Sequence, residues 1–161
     1  MNRKLLLVGG GGHCKSILDT LYRIGEYQDI AIIDKKENIG KNILETPIIG
    51  TDDDLKNLYI EGYKEAFISI GTITNFNTKI KLVNHLHKIG FYLPNIIDPT
   101  AIISNYCEIG KGIFVGKSAI VNANTKLEDF SIINSQAICE HDVTIEKYTH
   151  IAPGSVILAM P

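Results

Sequence analysis

At 161 residues the chain holds one or two small domains, and a hydrophobic fraction of 45% is ample for a core. A formal net charge of -2 gives no electrostatic case for nucleic acid or an anionic membrane, and the longest apolar runs fall far short of a membrane span. Three cysteines, odd in number and without metal-type spacing, fit a reducing cytoplasm.

Met1 to Lys4 followed by Leu5 to Val8 is too short an apolar run for a signal peptide. Leu5–Val8 read as a buried strand, followed by four glycines. Ile17, Leu18, Leu21 and Ile24 then show helical spacing from Ser16 onward, with Gly25 as the stop. Ile30–Ile33 make a second strand, ended by Asp34. The order strand, glycine turn, helix, strand is a βαβ unit. The polar stretch with Gly40 and Pro47 reads as loop. Thr51 and three aspartates open a short helix with acid at its positive end. Ala66–Ile70 form another strand, ended by Gly71. Residues 75–89 form a helix with an apolar stripe of Phe76, Ile80, Val83, Leu86 and Ile89, stopped by Gly90. Residues 1–93 are therefore expected to form a small Rossmann-like α/β domain with a parallel sheet.

Residues 94–161 follow a period of six. Ile97, Ile103, Ile109, Val115, Val121, Leu127, Ile133, Cys139, Ile145, Ile151 and Ile157 succeed one another without a break, each followed four residues later by a mostly small partner. Neither helix nor ordinary strand keeps such a register. A parallel β-helix of hexapeptides does, here about three and a half coils long.

Two regions could carry chemistry. Gly9, Gly10, Gly11 and Gly12 lie between a strand and a helix, where backbone amides and the helix N-terminus attract anions. A dinucleotide fingerprint or a Walker A loop would each need glycine at position 14, which is Cys14, so neither NAD nor ATP is favoured. Asp34 and the Ile70-Gly71-Thr72 turn end strands at the same sheet edge and could converge there, although Asp34 is equally readable as a turn residue. In the β-helix, Glu140-His141-Asp142 places an imidazole outward near a turn. Neutral imidazole is suited to take a proton near pH 7, and either Asp142 or Glu140 could orient it. His150 lies nine residues on, half a coil away, so the two histidines do not stack. They could meet across a subunit boundary. His85 is expected to face solvent, and His87 to sit at the edge of the apolar stripe.

The stretch Ala137-Ile-Cys-Glu-His-Asp-Val-Thr-Ile-Glu-Lys-Tyr-Thr-His-Ile-Ala-Pro-Gly154 and the glycine-rich Leu6-Leu-Val-Gly-Gly-Gly-Gly-His-Cys-Lys15 resemble left-handed β-helix sugar acetyltransferases of bacterial glycan synthesis. That group includes sialic acid O-acetyltransferases and UDP-4-amino-sugar N-acetyltransferases. The resemblance implies an acetyl-CoA-dependent transferase acting on a sugar or nucleotide-sugar, cytoplasmic, without a metal, and assembled as a homotrimer with sites between subunits. It implies His141 as the base with Asp142 and Glu140 beside it, and nucleotide-sugar contacts at Gly10, Gly11, Gly12, His13, Asp34, Gly71 and Thr72. It also implies acetyl-CoA contacts at His150 and Gly154. Members of the group continue for several hexapeptides beyond Ala-Pro-Gly. A chain stopping at Pro161 is therefore expected to be shortened, to bind acetyl-CoA weakly with low or absent transfer, and to self-associate through an open end. Two other classes are weighed. A hexapeptide carbonic anhydrase needs three zinc-binding histidines, and the β-helix offers only His141 and His150. A non-catalytic nucleotide-sugar binding or assembly protein needs no base at all.

Overall fold

A computed structural model describes residues 2–71 and 76–161. The chain divides into two compact units, Met1–Pro94 and Asn95–Pro161.

The first unit runs β1 (Lys4–Val8), α1 (Gly12–Ile24), β2 (Asp29–Ile33), β3 (Asn42–Ile43), β4 (Thr46–Gly50), α2 (Leu55–Ile60), β5 (Glu65–Ile68) and α3 (Phe76–Ile89). Its sheet has the order β3-β4-β2-β1-β5. Three of its four pairings are parallel, and the edge strand β3 runs antiparallel to β4. Strand β1 lies between β2 and β5, and Leu5, Leu6, Leu7 and Val8 are all buried, as an inner strand covered on both faces requires. Gly25 ends α1 in the left-handed conformation at φ 68°, its N–H donating to Leu21. Thr51 and Asp54 form a capping box ahead of α2.

Three details differ from expectation. Helix α1 begins at Gly12, so Gly12 and His13 belong to its first turn and only Gly9–Gly11 form the bend. Glycine's poor helix propensity conceals that start. The stretch expected as loop contains β3 and β4, where buried Thr46, Ile48 and Gly50 alternate with exposed Pro47 and Ile49. Pro47 masks this period-two signal, since proline is rare inside sheets, but here it faces only the two-residue β3. On α3, Phe76 is exposed and Lys79 is buried, so the buried stripe runs through Lys79, Val83 and Leu86. His87 is exposed.

The second unit is a stack of two-residue strands: β6 (Ile96–Ile97), β7 (Ile102–Ile103), β8 (Glu108–Ile109), β9 (Phe114–Val115), β10 (Ile120–Val121), β11 (Lys126–Leu127), β12 (Ile132–Ile133), β13 (Ile138–Cys139), β14 (Thr144–Ile145), β15 (His150–Ile151) and β16 (Val156–Ile157). They form three parallel sheets, β7-β10-β13-β16, β8-β11-β14 and β6-β9-β12-β15. Each coil thus takes eighteen residues. The second residue of each strand turns inward, and Val115, Val121, Leu127, Ile133, Cys139, Ile145 and Ile151 pack with Ala119 and Ala137 into one core. Cys139 is fully buried, and burial pushes its thiol up to about 11.

The corners have their own six-residue rhythm. Gly112, Ser118, Asn124, Phe130, Gln136, Asp142, Tyr148 and Gly154 all adopt left-handed backbone, with φ between 57° and 70°. Phe130 and Tyr148 occupy one corner a coil apart, their rings stacked at 5.2 Å. A Cβ added to Gly112, one coil below, would sit 2.4 Å from the Phe130 ring. The glycine is fixed both by φ and by that ring.

Candidate functional site

In the first unit, β1, β2 and β5 end at one edge of the sheet, and their following loops converge there. The Gly9 N–H donates to Ile33, and the Ser69 hydroxyl donates to the Gly9 carbonyl. Gly9 has φ 115°, and a Cβ there would meet Ile70 at 2.6 Å. At Gly10 a Cβ would lie 2.9 Å from Asp34 Oδ2, and at Gly71 it would lie 3.1 Å from the His13 Cβ. Packing therefore accounts for Gly9 and Gly10. It does not account for Gly11 or Gly12, where an added Cβ meets nothing within 4 Å. These two glycines leave bare backbone at the start of α1, a thirteen-residue helix without an acidic residue in its first turn.

Asp34 is partly buried, and its Oδ2 accepts from Asn38 Nδ2 at 2.9 Å. It therefore serves its own turn as well as facing the cleft. The cleft has a volume of about 790 Å³ and is lined by Gly9, Asp34, Lys35, Lys36, Lys81 and His85 among others. His85 is exposed along this wall. The three lysines were not singled out from sequence, although Lys35-Lys36 directly follow the carboxylate that was. Thr72 lies outside the described residues. Cys14 is buried, hydrogen-bonded with Ser69, and burial pushes its thiol up to about 11, so it packs as an inert thiol.

In the second unit, His141 and Asp142 occupy the corner between β13 and β14. His141 Nδ1 and Asp142 Oδ2 are 2.6 Å apart, and both side chains are more than half exposed. The hydrogen bond to Asp142 is the main reason the imidazole is held above its ordinary pKa, with a smaller push from the Glu140 charge. Asp142 in turn is held below the usual carboxylate range, first by the Asn124 side chain and then by His141. An ionised carboxylate only accepts, so Nδ1 carries the proton and Nε2 presents its lone pair. The sequence left Asp142 and Glu140 as alternative partners. It is Asp142 that touches the ring, while the Glu140 carbonyl accepts from Thr125 Oγ1 at 2.8 Å.

His150 lies on β15, on a different face from the His141 corner, so one chain does not bring the two together. Asn134 Nδ2 approaches His150 Nε2 at 3.1 Å, and Asn134 Oδ1 accepts from the Ser135 N–H. That second bond fixes the amide, so Nδ2 is the donor and Nε2 the acceptor. Asn134 was missed from sequence. Gly154 is one of the left-handed corner residues, with φ 70°, and its N–H donates to Ser135. The corner alone explains its being glycine. Among the described residues, no three of His, Cys, Asp or Glu are grouped to hold a metal ion, and no helix is long and apolar enough to cross a membrane.

These features can be set beside known proteins. The PglD N-terminal domain family matches residues 4–86. The structure of PerB from Caulobacter crescentus, solved with CoA and GDP-perosamine, is 31% identical with a TM-score of 0.86, covering 95% of this chain and 70% of its own. The acetyltransferase domain of PglB from Neisseria gonorrhoeae FA1090, solved with acetyl coenzyme A, is also 31% identical, with a TM-score of 0.86 over 97% of this chain and 73% of its own. WeeI from Acinetobacter baumannii AYE shares the fold at 22% identity, with a TM-score of 0.79 over 96% of this chain and 72% of its own. The glycine-rich α/β unit and the hexapeptide coils together make this chain a member of the PglD family of left-handed β-helix sugar acetyltransferases.

Proposed function

We propose that this chain transfers the acetyl group of acetyl-CoA to an amino group of a nucleotide-linked sugar used in bacterial surface glycan synthesis, with His141 as general base. The observation that carries this reading is the His141–Asp142 pair, an outward imidazole whose Nδ1 is tied to a carboxylate at 2.6 Å. The acceptor nitrogen forms a bond to the thioester carbonyl carbon, and its proton passes to His141 Nε2. The C–S bond then breaks, and the proton held on Nε2 passes to the departing sulfur, so CoA leaves as its thiol and the ring is neutral again. The oriented ring stays poised because Asp142 offsets the charge it gains.

The α/β unit holds the nucleotide end. The bare backbone of Gly11 and Gly12 at the α1 N-terminus suits a diphosphate, and the cleft that begins at the preceding Gly9 carries Lys35, Lys36 and Lys81 for the phosphates beside Asp34, Asp52 and Asp53. Gly10, His13, Asp34 and Gly71, at the same sheet edge, are the further nucleotide-sugar contacts in this reading. His150, with Gly154 beside its strand, contacts acetyl-CoA.

The working form is a homotrimer in the cytoplasm. Its support is the outward column of β7, β10, β13 and β16, namely Ile102, Ile120, Ile138 and Val156, every one aliphatic and the first and last 67% and 56% exposed. The corresponding column on β8, β11 and β14 is Glu108, Lys126 and Thr144. His141 follows β13, the third strand of this column, so a neighbour covering the column would border the site and could bring its own His150 to it. Thiol release from acetyl-CoA, measured with a panel of GDP- and UDP-linked 4-amino sugars, tests the function. Tight nucleotide-sugar binding without thiol release from any of them would instead favour a non-catalytic binding protein.

A further inference from the structure

Asp142 has two carboxylate oxygens and both are engaged. Oδ2 meets His141 Nδ1 at 2.6 Å, and Oδ1 accepts from Asn124 Nδ2 at 2.5 Å. Asn124 stands eighteen residues earlier, one coil below at the same corner, and both residues have φ 61°. The stacking of coils therefore sets the amide directly against the carboxylate. We propose that Asn124 is a positioning residue for His141, acting through Asp142: its side-chain amide fixes the rotation of the carboxylate so that Oδ2 faces Nδ1. This rests on the reading of His141 as the base.

The physical need is plain. The terminal torsion of an aspartate is broad, and on an exposed turn nothing else holds it. A single hydrogen bond to the ring leaves the carboxylate free to swing. A second donor, anchored on the neighbouring coil, selects one orientation. Asparagine also tolerates left-handed backbone, so one residue type meets both the corner and the donor requirement. The same bond is the leading cause of the lowered carboxyl pKa of Asp142, which keeps it an acceptor. The charged groups acting on the imidazole are Asp142 and, more weakly, Glu140.

Asn124→Gly keeps the left-handed corner and deletes only the amide. In histidine-labelled protein, nitrogen NMR should show His141 of the parent with its proton on Nδ1 and a titration above the ordinary histidine range. In Asn124→Gly the titration should move to lower pH with a mixed tautomer, and kcat/KM should fall about tenfold, the low end for losing a partner behind an oriented histidine. The acid limb of the rate profile should move the same way. A merely structural asparagine would change the thermal midpoint and leave the titration in place. An unchanged or raised His141 titration in Asn124→Gly overturns the proposal. If that variant does not fold, the parent decides: Asn124 side-chain amide signals that follow the His141 titration support the link, and constant signals overturn it. His141→Ala separates the two ideas. Full turnover in His141→Ala beside a shifted titration in Asn124→Gly removes the base assignment and, with it, any catalytic meaning for Asn124.

Discussion

A raised imidazole pKa has a definite consequence for rate. The base form of His141 is the neutral ring, and the hydrogen bond to Asp142 favours the charged ring. Activity should therefore climb with pH through a limb lying above the ordinary histidine value of about 6.5. Asp142→Asn keeps a residue suited to left-handed backbone and removes the charge. It should move the limb to lower pH and reduce kcat/KM, since a less basic imidazole is the weaker proton acceptor. A pH–rate profile of the two proteins checks both. A limb that stays in place would mean that Asp142 does not tune the ring. Gly112 offers a separate test, of the corner rather than the chemistry. Gly112→Ala meets both a φ of 66° and the Phe130 ring, so stability should fall by at least the roughly 1–2 kcal/mol of a left-handed alanine, and the melting temperature with it. An unchanged melting temperature would show that Phe130 moves aside freely.

The glycine turn and the outward strand column each carry a prediction as elements. Gly11 has open space around its missing Cβ, so Gly11→Val should fold normally and block only the approach of a ligand to the backbone. Nucleotide-sugar affinity should fall at least about tenfold by calorimetry, as expected where bare backbone contacts phosphate. Equal affinity would show that the loop is only a bend. On the β-helix, Ile120→Glu puts a charge in the middle of the aliphatic column. If this column is the proposed subunit contact, light scattering should find a trimer for the parent and a monomer for the variant, because burying an unpaired carboxylate is costly.

The six-residue register was legible because each hexapeptide repeats one inward apolar residue, and eleven such positions leave no competing period. The His141 corner was legible through its motif. Other features were not, for physical reasons. Pro47 hid strand β4, and glycine at position 12 hid the first turn of α1. The Asn124–Asp142 bond needs eighteen-residue stacking, a distance over which the sequence shows no similarity beyond two short polar side chains. Lys35, Lys36 and Lys81 reach the cleft from two different elements, so only the folded sheet edge reveals them together.

At the scale of the whole molecule, the two units divide the work by chemistry. In the function proposed above, the α/β unit would hold the nucleotide end, with bare amides at Gly11 and Gly12 and a nearby cleft lined by Lys35, Lys36 and Lys81 as well as Asp34, Asp52 and Asp53. The β-helix would supply the base, His141, on a corner whose strands β13 and β14 pair with the coil before and, through β13, with the coil after. The most direct test is the turnover of acetyl-CoA with the best nucleotide-linked 4-amino sugar, in the parent and in His141→Ala. We predict acetyl transfer by the parent and a loss of about 100-fold or more in the variant, the scale of a missing general base. Equal turnover in the two proteins would contradict the account.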